Sequence, residues 1–161
     1  MNQPSNRPVD WAEAMLARHE AKLYRTALAI LGSAEDAEDI VQDVFLKLFE
    51  RHPSFESPEH ETAWLIRVTV NACKSRLRSP WRRKLVPLLD THPAQTDEQQ
   101  ELLETVLTLP PKYRAVIHLH YYEGYKTKDI AQMTHQREAT VREQLTRARR
   151  LLKASLEGEE V

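Results

Sequence analysis

The most regular pattern in the chain is an apolar face within residues 37–49. Apolar side chains recur there three and four positions apart, the spacing of one face of an α-helix. They are Ala37, Ile40, Val41, Val44, Phe45, Leu48 and Phe49. Ser33 precedes this stretch, and Asp36 follows three positions later, a pattern typical of an N-terminal helix cap. We therefore expect a helix with one apolar face and an opposite, acidic face.

Helical spacing also predicts elements on either side of this segment. Residues 11–31 form one helix that ends at Gly32, since glycine favours the position after a helix end. Residues 52–61 contain Pro53 and Pro58 and are interpreted as a loop. Residues 62–78 form a further helix that Pro80 ends. Its inward side chains are expected to be Trp64, Leu65, Val68, Ala72 and Leu77.

The C-terminal part of the chain predicts several shorter helices. One spans about residues 97–107, and the next has Pro110 and Pro111 in its first turn, where proline is tolerated. That helix stops at Gly124. Thr127 then caps a short helix, and a tight turn leads to a long helix over about residues 138–156. The inward side chains of the long helix are expected to be Val141, Leu145, Ala148, Leu151 and Leu152.

These elements predict an all-α protein of two small helical domains joined by a linker. Three glycines among 161 residues argue against a phosphate-binding glycine loop and against a turn-rich β-domain. The domains are expected at residues 1–79 and 98–161. Residues 80–97, with three prolines, are the expected linker. The last two helices are joined by a tight turn, and the second is rich in arginine. Together they form a helix-turn-helix candidate.

Charge is segregated along the chain, although its net value is only −1. Residues 35–43 contain five acidic side chains and no basic one, whereas residues 62–84 contain seven basic side chains and no acidic one. The C-terminal residues 109–161 have an excess of three positive charges. This segregation indicates two different partners, one basic and one polyanionic.

The sequence offers no catalytic constellation, metal site or cofactor site, so we expect a protein that is not an enzyme. Its single cysteine, Cys73, excludes an intrachain disulfide and a cysteine zinc site. His118 and His120 are two positions apart on a helix and are poor joint metal ligands. The chain has no apolar run of membrane-spanning length and no secretory signal. We expect a cytoplasmic protein that is monomeric when free.

The predicted last helix has the chemistry of a DNA reader. An arginine in the major groove can form two hydrogen bonds to guanine, and a glutamate can accept one from a cytosine amino group. In the 62–84 segment, amides and aromatic rings beside basic residues are typical of sites for unstacked bases. The alternative interpretation of the last helix is an ordinary solvated amphipathic helix.

Three blocks of sequence resemble the extracytoplasmic-function (ECF) group of bacterial sigma factors, in the sigma-70 family. The resemblance covers residues 20–153 and lies in the segments 23–45, 63–71 and 109–149. The first block includes Asp36 to Phe45, the second begins with Ala63-Trp64-Leu65, and the third includes Leu109-Pro110 and Leu145-Thr146-Arg147. All three occur in order across a linker, which makes the resemblance specific.

This resemblance implies a factor that binds core RNA polymerase and directs transcription from particular promoters. In the family, the acidic helix binds the clamp coiled coil of a β-type polymerase subunit. That role would fall to Asp36, Asp39, Gln42 and Asp43. The following helix would bind the melted −10 element of promoter DNA, with Asn71 lining the pocket of a flipped base. Arg67, Lys74 and Arg78 would lie near phosphates.

For the last domain, the resemblance implies recognition of the −35 element in the major groove. The residues expected to take part are Thr127, Lys128, Thr140, Arg142, Glu143, Thr146, Arg147, Arg149 and Arg150. The family pattern Leu-Gly-Ile-Ser in the turn is replaced by Thr134-His135-Gln136-Arg137, so the turn glycine and the serine cap are missing. Glu143-Gln144 also departs from the family, and a different promoter preference is expected.

Two further implications concern partners and alternatives. Factors of this group are usually held inactive by an anti-sigma protein, so we expect such a partner. The competing hypothesis is a stand-alone helix-turn-helix regulator that binds duplex DNA without polymerase. The acidic helix and the whole N-terminal domain favour the initiation factor, because a plain repressor needs neither.

Overall fold

The computed structural model describes residues 7–79 and 97–158, and every regular element in these ranges is helical. The N-terminal range contains α1 (Arg7–Leu31), α2 (Ala34–Arg51) and α3 (Pro58–Arg78). The C-terminal range contains α4 (Asp97–Leu107), α5 (Pro111–Ile117), a π-helical turn (His118–Tyr122), α6 (Thr127–Thr134) and α7 (Glu138–Gly158). The expected all-α class is confirmed. The expected linker lies almost wholly outside the described residues.

The first three helices pack against one another around an apolar core. Gly32 has φ 74°, and its N–H donates to the carbonyl of Leu28 at 2.8 Å, which ends α1 as predicted. The hydroxyl of Ser33 accepts from the N–H of Asp36 at 3.2 Å and caps α2. The predicted apolar face of α2 is buried from Ala37 to Leu48. The sequence pattern therefore places both the helix and its outward acidic face correctly.

Helix α3 begins earlier than the sequence indicates. The hydroxyl of Ser57 accepts from the N–H of His60 at 3.1 Å, and Pro58 occupies the first helical position. The prolines suggested a loop over residues 52–61, but a proline preceded by a serine cap starts a helix well. The predicted inward residues are confirmed only in part, with Leu65 fully buried. The fully buried set is Leu65, Ile66, Thr69, Val70 and Cys73, while Trp64, Val68, Ala72 and Leu77 are half-buried against the core.

The C-terminal helices confirm the predicted order and differ in three details. Helix α5 gives way at His118 to a π-helical turn, which ends before Gly124 at φ 79°. Thr127 is the first residue of α6 and not its cap, because Lys126 occupies the cap position without a side-chain hydrogen bond. Leu151 is 45% exposed and not inward, whereas Val141, Leu145 and Ala148 are buried.

The N-terminal and C-terminal units pack against each other and share one apolar core. Helix α1 contacts α4 and α5, and α3 contacts α6. A guanidinium nitrogen of Arg114 in α5 donates to the carbonyl of Ile30 at 2.6 Å. The ammonium of Lys22 donates to the hydroxyl of Tyr125 at 2.5 Å. Sequence periodicity reveals which faces are apolar but not which unit covers them, so this packing was not predictable.

Candidate nucleic-acid and protein interfaces

The acidic face of α2 divides into a part that is engaged within the fold and a part that meets solvent. The carboxylate of Asp36 accepts from Arg76 of α3 at 3.2 Å, and Asp39 lies 3.6 Å from the same guanidinium. Asp36 is half-buried, whereas Asp39, Gln42 and Asp43 are exposed. Three of the four predicted polymerase-binding residues are therefore accessible to a binding protein.

The predicted −10 residues lie on one face of α3. Arg67, Asn71, Lys74 and Arg78 recur four, three and four positions apart, so their side chains leave the helix in similar directions. Asn71 and Arg78 are exposed, and Arg67 and Lys74 are half-buried. Arg78 donates to the hydroxyl of Ser75 at 3.4 Å. The structure thus brings the four residues into one row along the helix.

Asn71 also lines an open groove between α2 and α3. The groove has a volume of about 590 Å³, and its lining includes Asp43, Leu46 and Lys47 of α2 and Arg76 of α3. Leu46 is 58% exposed and gives the groove an apolar wall. Sequence reasoning missed Leu46, although it lies outside the apolar face of α2 and could have been noticed for that reason.

The exposed face of α7 carries arginines that are paired along the helix. Arg142 lies 2.9 Å from the carboxylate of Glu138, and Arg147 lies 2.6 Å from that of Glu143. Both arginines remain more than half exposed, at 60% and 57% of their side chains. Pairs of this kind on an exposed helix face are weak, because water screens the two charges. Each guanidinium can therefore leave its glutamate for another ligand at little cost.

The other predicted −35 residues surround these pairs. Thr146, Arg149, Arg150 and Lys128 are exposed, and Thr140 is half-exposed. Arg149 donates to the hydroxyl of Tyr121 at 2.6 Å. Thr127 at the start of α6 donates to Glu138 at the start of α7 at 3.1 Å, and the same carboxylate holds Arg142. Glu138 thus connects the two helices of the helix-turn-helix to one of its arginines.

The turn between α6 and α7 is formed without the expected glycine. His135 takes a left-handed conformation, with φ 58° and ψ 45°. Its N–H donates to the carbonyl of Gln132 at 3.4 Å, and the N–H of Gln136 donates to that of Ala131 at 2.9 Å. These two bonds make a Schellman motif, which satisfies the last carbonyls of a helix. The turn is therefore closed, although the family's turn glycine is missing.

A buried ionic cluster joins the two units. Glu123 accepts from Arg25 of α1 at 3.0 and 3.1 Å and lies 2.8 Å from the imidazole of His118. Burial raises the pKa of Glu123, but the hydrogen bonds from His118 and Arg25 outweigh it and lower the pKa to about 2. No spacing signal in the sequence links Arg25 to Glu123, because their contact depends on tertiary packing.

The described residues contain no cluster of three or more side chains that could hold a metal ion. The two histidines in question have separate partners, since His118 faces Glu123 and His120 lies 2.9 Å from the carbonyl of Tyr125. Across residues 7–79 and 97–158, none of the helices is long and apolar enough to cross a membrane.

Comparison with known families matches both units of the chain. Sigma-70 region 2 matches residues 15–83, and Sigma-70, region 4 matches residues 99–152. The chain is 34% identical over 163 residues to the ECF RNA polymerase sigma factor SigL of Mycobacterium tuberculosis. That match covers 91% of this chain and 92% of SigL. The chain belongs to the ECF RNA polymerase sigma factors.

Other relatives agree with this assignment. The ECF RNA polymerase sigma factor SigM of Mycobacterium tuberculosis is 32% identical over 85% of this chain and 72% of its own length. The structure is similar to that of the sigma factor RpoE of Bartonella quintana, solved with the anti-sigma factor NepR. The TM-score is 0.77 at 25% identity, over 90% of this chain and 96% of RpoE. The sigma factor described here accordingly directs transcription initiation, and the stand-alone regulator is set aside.

Proposed function

We propose that this sigma factor uses two oppositely charged surfaces for two partners. The exposed acids of α2 bind basic residues on the clamp coiled coil of core RNA polymerase, and the arginine face of α7 binds duplex promoter DNA. The observation that supports this division is that the two surfaces lie on different helices of different units. Asp39 and Asp43 are exposed on one, and Arg142 and Arg147 are exposed on the other.

The groove between α2 and α3 is the proposed site for a flipped base of the −10 element. Asn71 supplies amide donors and acceptors, and Leu46 supplies an apolar wall. Arg67, Lys74 and Arg78 follow the same face of α3 and would neutralise neighbouring phosphates. A base taken out of the duplex loses stacking and pairing energy of a few kcal/mol, which such a pocket has to offset. Asp43 in the lining of the groove would repel phosphates, so the DNA backbone is proposed to run along the α3 side.

The −35 element is the proposed ligand of α6 and α7. Arg142, Glu143 and Arg147 face the base edges, while Thr127, Lys128, Arg149 and Arg150 contact the phosphates on either side. Thr140 and Thr146 lie between these groups and contribute further hydrogen bonds. A good bidentate contact between arginine and guanine is worth about 1–3 kcal/mol of discrimination. Glu138 supports this role because it ties Arg142 to the start of α6.

Promoter binding is proposed to change the arrangement of the two units, because the −10 and −35 elements are separate stretches of the promoter and each unit is proposed to bind one of them. The units shown here touch through Arg25 and Glu123, through Lys22 and Tyr125, and through the packing of α3 against α6. We propose that these contacts break when polymerase and DNA bind.

The factor is proposed to act without catalysis of its own, in the cytoplasm, as a monomer when free. An anti-sigma protein is proposed as its regulator, supported by the similarity to RpoE, which was solved with the anti-sigma factor NepR. Initiation by this route needs no hydrolysis by the factor, because trapped bases shift the duplex equilibrium towards the melted state.

Transcription in vitro tests the proposed division of labour. Purified core RNA polymerase is incubated with bacterial genomic DNA and with the wild-type factor, Asp39→Ala/Asp43→Ala or Arg142→Ala/Arg147→Ala, and the 5′ ends of the transcripts are sequenced. Wild type should give a defined set of start sites. The aspartate variant should give few transcripts because it no longer joins polymerase. The arginine variant should join polymerase but lose the shared upstream sequence. Wild-type start sites retained by both variants would contradict the proposal.

A further inference from the structure

The turn of the helix-turn-helix contains a pair of amides that face each other. Nε2 of Gln144 in α7 donates to Oε1 of Gln136 at 2.7 Å, and Nε2 of Gln136 donates to Oε1 of Gln144 at 3.1 Å. Each amide thus uses one donor and one acceptor on the same edge. Both side chains are half-buried, whereas their neighbours Arg137 and Glu143 are exposed.

The orientation of the Gln136 amide follows from a third residue. The buried hydroxyl of Thr134 donates to the carbonyl of Ile130 at 2.7 Å. A hydroxyl has one donor, so Thr134 can only accept from Gln136, whose Nε2 lies 2.8 Å away. That contact points Nε2 of Gln136 at Thr134 and leaves Oε1 for Gln144. The pair therefore has one consistent hydrogen-bond arrangement.

Gln136 also occupies a position that is usually apolar in this kind of turn. In a Schellman motif the residue after the left-handed one commonly makes an apolar contact with the last turn of the helix. His135 is the left-handed residue, so that position belongs to Gln136. Its side chain instead turns toward α7 and meets Gln144. An amide at this position gives up the apolar contact and gains a specific polar one.

The edge of Gln144 that Gln136 covers is the edge that reads DNA. A glutamine recognises adenine by accepting from N6 and donating to N7 with one oxygen and one nitrogen of its amide. The amide of Gln136 presents the complementary donor and acceptor, and it occupies the same edge. Gln144 precedes Arg147 by three positions in α7 and follows Thr140 by four, so it adjoins the row of predicted base-reading residues.

We infer that Gln136 is a specificity-determining residue that withholds Gln144 from the bases. Adenine readout at one position of the −35 element is then absent in the wild type, and it is gained when Gln136 can no longer pair. The inference rests on the proposed binding of duplex DNA by α7. It identifies Gln136 as a positioning residue, since it acts on DNA through Gln144.

Four forms of the full chain test this inference: wild type, Gln144→Ala, Gln136→Leu and Gln136→Leu/Gln144→Ala. Each is bound to core RNA polymerase and used to select sequences from a pool of random duplex DNA. Leucine at 136 restores the apolar contact of the turn, and circular dichroism melting shows whether each variant is folded. Gln144→Ala breaks the pair from the other side without altering the turn.

Wild type and Gln144→Ala should select the same upstream sequence. Gln136→Leu should add a preference for adenine at one position, of about fivefold or more, and the double variant should lose it. A changed base preference in Gln144→Ala would overturn the inference, because Gln144 would then read a base already. Unchanged sequences with folded Gln136→Leu would overturn it as well. If wild type selects no upstream sequence, the proposed function fails together with the inference.

Discussion

Helices α2 and α7 are both amphipathic and both present charge to solvent, but the ion pairs on their two charged faces differ. On α7, Arg142 and Arg147 are each paired with a glutamate four residues earlier. On α2, Asp39 and Asp43 are exposed, and the cation near Asp39 comes from another helix. The comparison shows that arginines on α7 are partly neutralised by acids of the same helix, whereas α2 presents closely spaced like charges.

That difference fits the two partners. An arginine can form two hydrogen bonds to a guanine edge, and the weak pairs within α7 let the guanidinium groups turn to the bases. A cluster of acids attracts a basic protein surface over a long range. This attraction raises the association rate and does not depend on the exact direction of each side chain. Variants of the two helices, and of the contacts around them, test this account.

Reversing charge on α2 should have the largest effect. Asp39→Lys/Asp43→Lys places cations against the basic surface of the polymerase clamp, and we expect its affinity for core RNA polymerase to fall by about 100-fold or more. Fluorescence anisotropy of the labelled factor measures this affinity. Glu101→Lys/Glu104→Lys makes the same charge change on the exposed face of α4 and should leave the affinity near wild type. An equal loss in both variants would show that only net charge matters.

Loss of the ionic cluster that joins the two units should come next. The folded-state pKa of Glu123 is about 2, below its ordinary 4.5, so its contribution to stability is present above pH 4.5 and is lost as the pH falls towards 2. That contribution is about 3 kcal/mol. Denaturant unfolding should show that wild type is more stable than Glu123→Gln at pH 6 and loses most of this advantage by pH 3. A constant difference across that range, or the same trend in exposed Glu104→Gln, would contradict the assignment.

The arginines of α7 should show a smaller effect that depends on sequence. Arg147→Ala is expected to lose about 1–3 kcal/mol of discrimination at one base pair of the −35 element. Arg150→Ala, which changes a proposed phosphate contact, should weaken binding to all sequences alike and reduce the slope of log affinity against log salt by about 0.9. Titration of holoenzyme with matched and single-mismatch duplexes separates the two effects. Uniform loss across sequences in Arg147→Ala would remove it from the base-reading set.

The smallest expected effect concerns two histidines whose backbone is in the left-handed conformation. His135 follows α6 with φ 58°, and His52 follows α2 with φ 45°. His135→Gly should raise stability by about 0.5–1 kcal/mol, because the left-handed conformation costs a residue with a Cβ about 1–2 kcal/mol, and the greater chain entropy of glycine in the unfolded state offsets only part of that gain. His52 also stacks on Trp11, with ring centroids 4.5 Å apart, so His52→Gly should gain less or nothing. Thermal unfolding of both variants measures the difference. A larger gain at His52 would mean that the stacking contributes nothing.

The elements that sequence could predict are those fixed by local signals. The apolar spacing of α2, the Ser33 cap and the end of α1 at Gly32 all depend on residues within a few positions of one another, and the structure confirms them. Pro58 misled the prediction because a proline signals either a break or a helix start, and Ser57 decides between them. The inward residues of α3 were predicted only in part, because that helix packs against α1, α2 and α6 at once and so buries more than one stripe.

The candidate surfaces were predictable in outline because charge runs and a family resemblance indicate them. Their partners within the fold were not. Three contacts follow from tertiary packing or from turn geometry: Arg76 with Asp36, Arg25 with Glu123, and Gln136 with Gln144. Leu46 was missed for another reason. It lies on the face of α2 opposite the regular apolar one, and helical periodicity predicts only the regular face.

The affinity of core RNA polymerase for Asp39→Lys/Asp43→Lys and for Arg142→Ala/Arg147→Ala, measured side by side in the absence of DNA, tests the division of surfaces most directly. The account predicts that the aspartate variant loses binding while the arginine variant binds as wild type does. Equal loss in both folded variants, or full binding by the aspartate variant, would contradict it.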